Sequence, residues 1–119
     1  MSGENSSMMK ESETNKISIR FYNDREVRAV WDAEKQQWFF SVLDVIGAIN
    51  QQDDYAKNRN YWKYLKTKLK SDAPEVVSAT NQLKLLGPDG KMRLSDTLNA
   101  DGVAQLARNI NNVRAIQFL

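Results

Sequence analysis

There is no cysteine and no histidine anywhere in the 119 residues of this chain. Disulfides, thiolate nucleophiles, Ser-His and Cys-His dyads and ordinary zinc sites each need one or the other, so all are excluded together. Catalysis would have to rest on carboxylates, lysines or tyrosines. The five glycines are scattered, and they form neither a P-loop nor a dinucleotide fingerprint. No internal repeat is present. No apolar run approaches the roughly 18 residues of a membrane span, and the first residues lack the basic segment and apolar core of a signal peptide. A protein that stays in the cytoplasm, with no membrane partner, is expected.

What is present amounts to one domain with a single modest core. Residues 1–15, MSGENSSMMKESETN, are rich in Ser, Glu and Asn and are expected to be a disordered leader. The folded part is placed at residues 16–119. Val113–Leu119 begins an apolar pattern and stops within it, which reads as a domain cut from a longer protein.

Charge is unevenly placed. Residues 1–54 carry six cations against ten acids, 71–119 carry five against five, and 55–70 carry six against none. That middle stretch, YAKNRNYWKYLKTKLK, interleaves its cations with four aromatics, a composition suited to meeting phosphate and stacking on bases. On a helix, Arg59, Lys63, Lys66 and Lys70 fall within a strip roughly 60° wide, beside an apolar strip of Trp62, Leu65 and Leu69. Tyr64 lies on the far side with Lys57 and Lys68. A merely solvated helix usually mixes charge signs to gain i,i+4 pairs, and this one does not.

Around the basic block, short strands alternate with helices. Ile17–Tyr22 alternates apolar and polar residues, Asn23-Asp24 supplies a turn, and Val27–Trp31 completes a hairpin. Trp38–Phe40 reads as a third strand. Ser41 is then a helix cap with Asp44 at N3, and Val42, Val45, Ile46 and Ile49 recur at helical spacing to about Gln51. Gly47 inside that helix suggests close packing. The link to the basic helix lacks the glycine typical of a helix-turn-helix.

Gln82–Leu86, Gly87-Pro88-Asp89-Gly90 and Lys91–Asp96 form a second hairpin signal. Pairing Leu86 with Lys91 would collect Leu83, Leu85, Met92 and Leu94 on one face and set Lys84 opposite Arg93, with Lys91 alongside. Asn99 caps a further helix whose core stripe is Val103, Leu106, Ala107 and Ile110. The fold class expected is α+β, a small antiparallel sheet built from two hairpins and packed with three to four helices.

WFFSVLDVIGAIN, YWKYLKTKLK and NQLKLLGPDGKMRLSDTLNADGVAQLAR, in this order and spacing, resemble the BRO N-terminal domain family of bacteriophage antirepressors, baculovirus repeated-ORF proteins and bacterial DNA-damage-inducible protein D. The third phrase is the most specific, and the resemblance spans roughly Ile17 to Leu119. It implies an α+β domain whose usual role is DNA binding and transcription regulation, joined to a variable C-terminal region. The damage-inducible members, associated with interference with recombination proteins, suggest the alternative: an interaction module that inhibits a recombinase or sequesters a repressor.

The expected nucleic-acid-binding residues are Lys57, Arg59, Lys63, Tyr64, Lys66, Lys68 and Lys70 of the helix and Lys84, Lys91 and Arg93 of the hairpin. Asn58, Asn60 and Gln82 are further candidates for base edges. No cofactor, no metal and no enzymatic activity are expected. Asp89-Gly90-Lys91, with Asp72 or Glu75, superficially resembles a metal-dependent nuclease element, but turn chemistry already accounts for an aspartate between Pro88 and Gly90.

Overall fold

A computed structural model describes residues 17–119 except Asn23 and Pro88, together with all side chains in that range but those of Ile17, Phe21 and Gln117. The expected leader, residues 1–15, lies outside the described residues. Strand β1 (Ile17–Tyr22) pairs antiparallel with β2 (Arg25–Asp32), and Tyr22 opposite Arg25 closes the turn. Asp24 there has φ 63°, a left-handed conformation that aspartate tolerates better than most residues. The next turn is fastened by Asp32, whose carboxylate accepts from the amides of Glu34 and Lys35. It leads into β3 (Gln37–Ser41), where Trp38 pairs with Trp31 and their rings meet edge-on at 5.5 Å.

Helix α1 (Val42–Asn50) starts with no intervening loop, because the Ser41 hydroxyl accepts the Asp44 amide at 3.2 Å as its N-cap. Val42, Val45, Ile46 and Ile49 are all buried, as their spacing predicts. Asp54 caps α2 (Tyr55–Asp72), which turns Trp62, Leu65 and Leu69 into the same core. A Cβ added to Gly47 would lie 2.9 Å from Asn58 Nδ2 and from the Gln52 carbonyl. The missing side chain is thus what lets α1 approach α2. The short α3 (Pro74–Ser78) follows, then β4 (Asn81–Leu86), β5 (Met92–Leu98), α4 (Ala100–Arg108) capped by Asn99, and a 3-10 turn over Val113–Phe118. Phe118 closes onto Tyr22 at 4.5 Å.

The described residues form an α+β fold: a five-stranded antiparallel sheet in the order β1-β2-β3-β5-β4, with four helices. The expected register of the second hairpin is corrected. Leu86 pairs with Met92 and not with Lys91, so Lys84 faces Leu94 and Arg93 faces Leu85. The cause is the turn. Gly90 donates to the Gly87 carbonyl and adopts φ 82°, and Gly87 in turn donates to Lys91, so the loop takes up one residue more than a plain four-residue turn. Every β5 side chain therefore changes face. Leu85 is buried, but Leu86, Met92 and Leu94 share the other face and remain exposed.

Candidate nucleic-acid interface

Helix α2 is amphipathic, with Asn58, Trp62, Leu65 and Leu69 buried and its lysines turned outward. The ten expected contact residues do not form one surface. Arg59, Lys63, Lys66 and Lys70 make one strip, while Lys57, Tyr64 and Lys68 lie about 150° further round the same helix. Tyr64 is 65% exposed and contributes nothing to the core. One flat or grooved partner can engage one strip or the other.

Within the first strip the four cations differ. Lys66 is tied down, its ammonium 3.3 Å from Asp96 Oδ2 and 5.4 Å from the Trp62 ring centroid. Arg59 lies over the Tyr55 ring at 5.5 Å. Lys63 and Lys70 are exposed and, among the described residues, have no acid within ion-pair distance. Arg59 likewise has no acid within ion-pair distance among the described residues, and its ring contact leaves the charge uncompensated, so Lys66 is the cation of the strip already neutralised.

Asp96 joins this strip to the second hairpin. Its carboxylate accepts from the Trp62 indole at 2.7 Å, from Lys66, and from Gln82 Nε2 at 3.2 Å. Partial burial works to raise its pKa, but the hydrogen bonds from Trp62 and Gln82 and the Lys66 charge outweigh that and hold it below the usual carboxylate range. Because strand side chains alternate, the hairpin face carrying Asp96 also carries Gln82, Lys84, Leu86, Met92 and Leu94. Lys84 thus shares a face with the residue that anchors the α2 strip.

Arg93 is on the opposite face. Its guanidinium pairs with Asp89, a hydrogen bond that, with the Lys91 amide, lowers the Asp89 pKa. The expected Lys84–Arg93 opposition is absent, and Arg93 is already neutralised. Asp89 itself sits in the turn, as its sequence context predicts. Of the candidates for base edges, Asn58 is buried and donates to the Gln52 carbonyl, Gln82 is engaged with Asp96, and Asn60 is exposed. No group of three Asp or Glu among the described residues is placed to hold a metal.

Comparison with protein-family models, with curated proteins and with solved structures finds no match to this chain. The functional reading therefore rests on the residues themselves.

Two further features escape a reading of local pattern. Arg28 of β2 forks onto Asp44 of α1, at 2.7 Å through Nε and 3.0 Å through Nη2, and reaches the Leu86 carbonyl through Nη1 at 2.9 Å. Its pKa is raised by that hydrogen bonding and by the Asp44 charge, against the opposing effect of burial. Beside it, a groove of about 340 Å³ between the β1–β2 turn and the α1–α2 junction is lined by four acids, Asp24, Glu26, Asp44 and Asp53, against one cation, Arg25, which pairs with Asp53 at 3.5 Å. Its acidic lining is the wrong sign for phosphate. No helix among the described residues is long and apolar enough to cross a membrane.

Proposed function

We propose that this chain is a DNA-binding domain of the BRO N-terminal type, acting in transcription regulation, and that it holds the phosphate backbone with the Arg59–Lys63–Lys66–Lys70 strip of α2. One observation carries the reading: α2 has no acid from Tyr55 to Ser71, buries its apolar side, and offers Lys63 and Lys70 outward without an acidic partner among the described residues. Such a surface gains most from a partner with regularly spaced negative charge, since each neutralised phosphate releases a counterion. Lys84, on the hairpin face that Asp96 links to α2, extends the footprint. The second strip, with Tyr64, is left for a different strand or a different molecule.

The test is fluorescence anisotropy with labelled duplex and single-stranded oligonucleotides over a salt series. Binding to duplex DNA should weaken linearly on a log–log plot, with a slope of about 0.9 per phosphate contacted. An absence of binding at low salt would overturn the reading and leave the interaction module, directed at a repressor or recombination protein, as the reading of the basic helix.

A further inference from the structure

Leu86, Met92 and Leu94 are exposed by 48%, 48% and 63%, and the observed register gathers all three on one face of the β4–β5 hairpin. This exposure does not reflect a loose hairpin. Leu85, on the opposite face, is buried, Arg28 holds the Leu86 carbonyl, and Arg93 pairs with Asp89 across the turn. At the same time β5 pairs with β3 only through Thr97 and Leu98, so from Met92 to Asp96 its one sheet neighbour among the described residues is β4. That part of the sheet is a firm two-stranded ribbon presenting three aliphatic side chains.

The unpaired charges that the hairpin places beside these side chains are of one sign, its acids Asp89 and Asp96 each being paired. Lys84 lies directly opposite Leu94, Lys91 adjoins Met92, and neither has an acid within ion-pair distance among the described residues. The acid on the same face, Asp96, is taken up by Trp62, Lys66 and Gln82.

We propose that the β4–β5 ribbon is a wedge that presses Leu94, Met92 and Leu86 between base pairs of duplex DNA and bends it, while the α2 strip holds the adjoining phosphates. This rests on the DNA-binding reading above. An apolar patch framed by unpaired cations complements a polyanion with an apolar interior, and β-ribbons enter the minor as well as the major groove of duplex DNA. Leucine and methionine are among the side chains that unstack base steps and kink the duplex. A second copy of this chain fits poorly, because a two-fold interface would set the Lys84 and Lys91 patch against itself. A membrane surface fits poorly too, since α2 keeps its apolar side in the core and brings only three aliphatic side chains of the ribbon to the acyl region.

The experiment uses a duplex carrying a fluorescence donor at one end and an acceptor at the other, with the wild type, Met92→Thr/Leu94→Thr and Leu94→Thr alone. Both positions are exposed, so the melting temperature should be unchanged. The wild type should kink the duplex by at least about 20°, and the double variant should leave it straight and bind roughly tenfold more weakly. Its salt slope should equal that of the wild type, since no cation is lost. The single variant should fall between.

A wild type that binds with the expected salt slope but leaves the duplex straight, or a double variant that bends it equally, overturns the wedge and spares DNA binding. A wild type that binds no duplex at about 50 mM salt overturns both. Capture by vesicles of mixed neutral and anionic lipid, or self-association in sedimentation, with either one lost in the double variant while the duplex stays straight, overturns the wedge in favour of a membrane or a second copy.

Discussion

Trp62 and Asp96, 34 residues apart in the chain, meet at an indole N–H to carboxylate hydrogen bond of 2.7 Å that fastens helix α2 to the base of the β4–β5 hairpin. Lys66 shares the same oxygen. The contact is structural, yet it sets where the cationic strip lies relative to the hairpin.

Asp96→Asn should therefore lower stability at pH 7 by about 1.5–3 kcal/mol, the scale of hydrogen bonds to a charged group. The folded-state pKa of Asp96 is depressed, so its contribution is complete above the unfolded value of about 3.9 and is lost as pH falls through the folded one. Urea unfolding of wild type and variant should accordingly converge as the pH is lowered from 7 to 2. A difference of equal size at both ends would mean that the carboxylate charge contributes nothing.

Gly47→Ala would be expected to stabilise α1 on helix propensity alone, by about 1 kcal/mol. The added Cβ, at 2.9 Å from the Gln52 carbonyl and Asn58 Nδ2, instead forces α1 and α2 apart. A net loss of about 1–3 kcal/mol is expected, the usual cost of overpacking. Thermal unfolding read by circular dichroism decides the sign, and an unchanged or raised midpoint would refute the close approach.

Arg28→Lys keeps the charge but cannot span two carboxylate oxygens and the Leu86 carbonyl together. It should cost about 1–3 kcal/mol in urea unfolding, and Arg28→Ala more, because Asp44 is then left half-buried without its partner. The two variants would unfold alike only if the fork added nothing to the charge.

Lys63→Ala with Lys70→Ala should flatten the salt dependence of duplex binding by about 0.9 per lysine, without sequence preference and without loss of stability. Lys66→Ala should change the slope less, since Asp96 already occupies that ammonium, and should lower stability slightly. If Lys66 proved the most sensitive of the three in anisotropy titrations, the assignment of the available cations would be wrong.

Elements marked by local chemistry were legible in the sequence. Ser41 and Asn99 declare their helices through side chains that accept an amide three residues on, and Trp62, Leu65 and Leu69 reveal the buried side of α2 by spacing alone. The hairpin register was not legible. Its apolar pattern favours Leu83, Leu85, Met92 and Leu94 together, and a single left-handed residue, Gly90, overrides that preference by one position. Candidate cations were readable as types and not as states. Whether a lysine or arginine is available depends on acids placed by tertiary contact, as Asp96 is for Lys66, or by turn geometry, as Asp89 is for Arg93.

Ser41 is at once the last residue of β3, paired with Thr97 of β5, and the cap of α1. With no loop between strand and helix, neither can fray without the other. Amide exchange in β3 and α1 should then proceed through one shared opening event, whereas the β4–β5 amides between the Leu86–Met92 end and the junction, whose ladder meets β3 at Thr97 and Leu98, are set to exchange through a separate one.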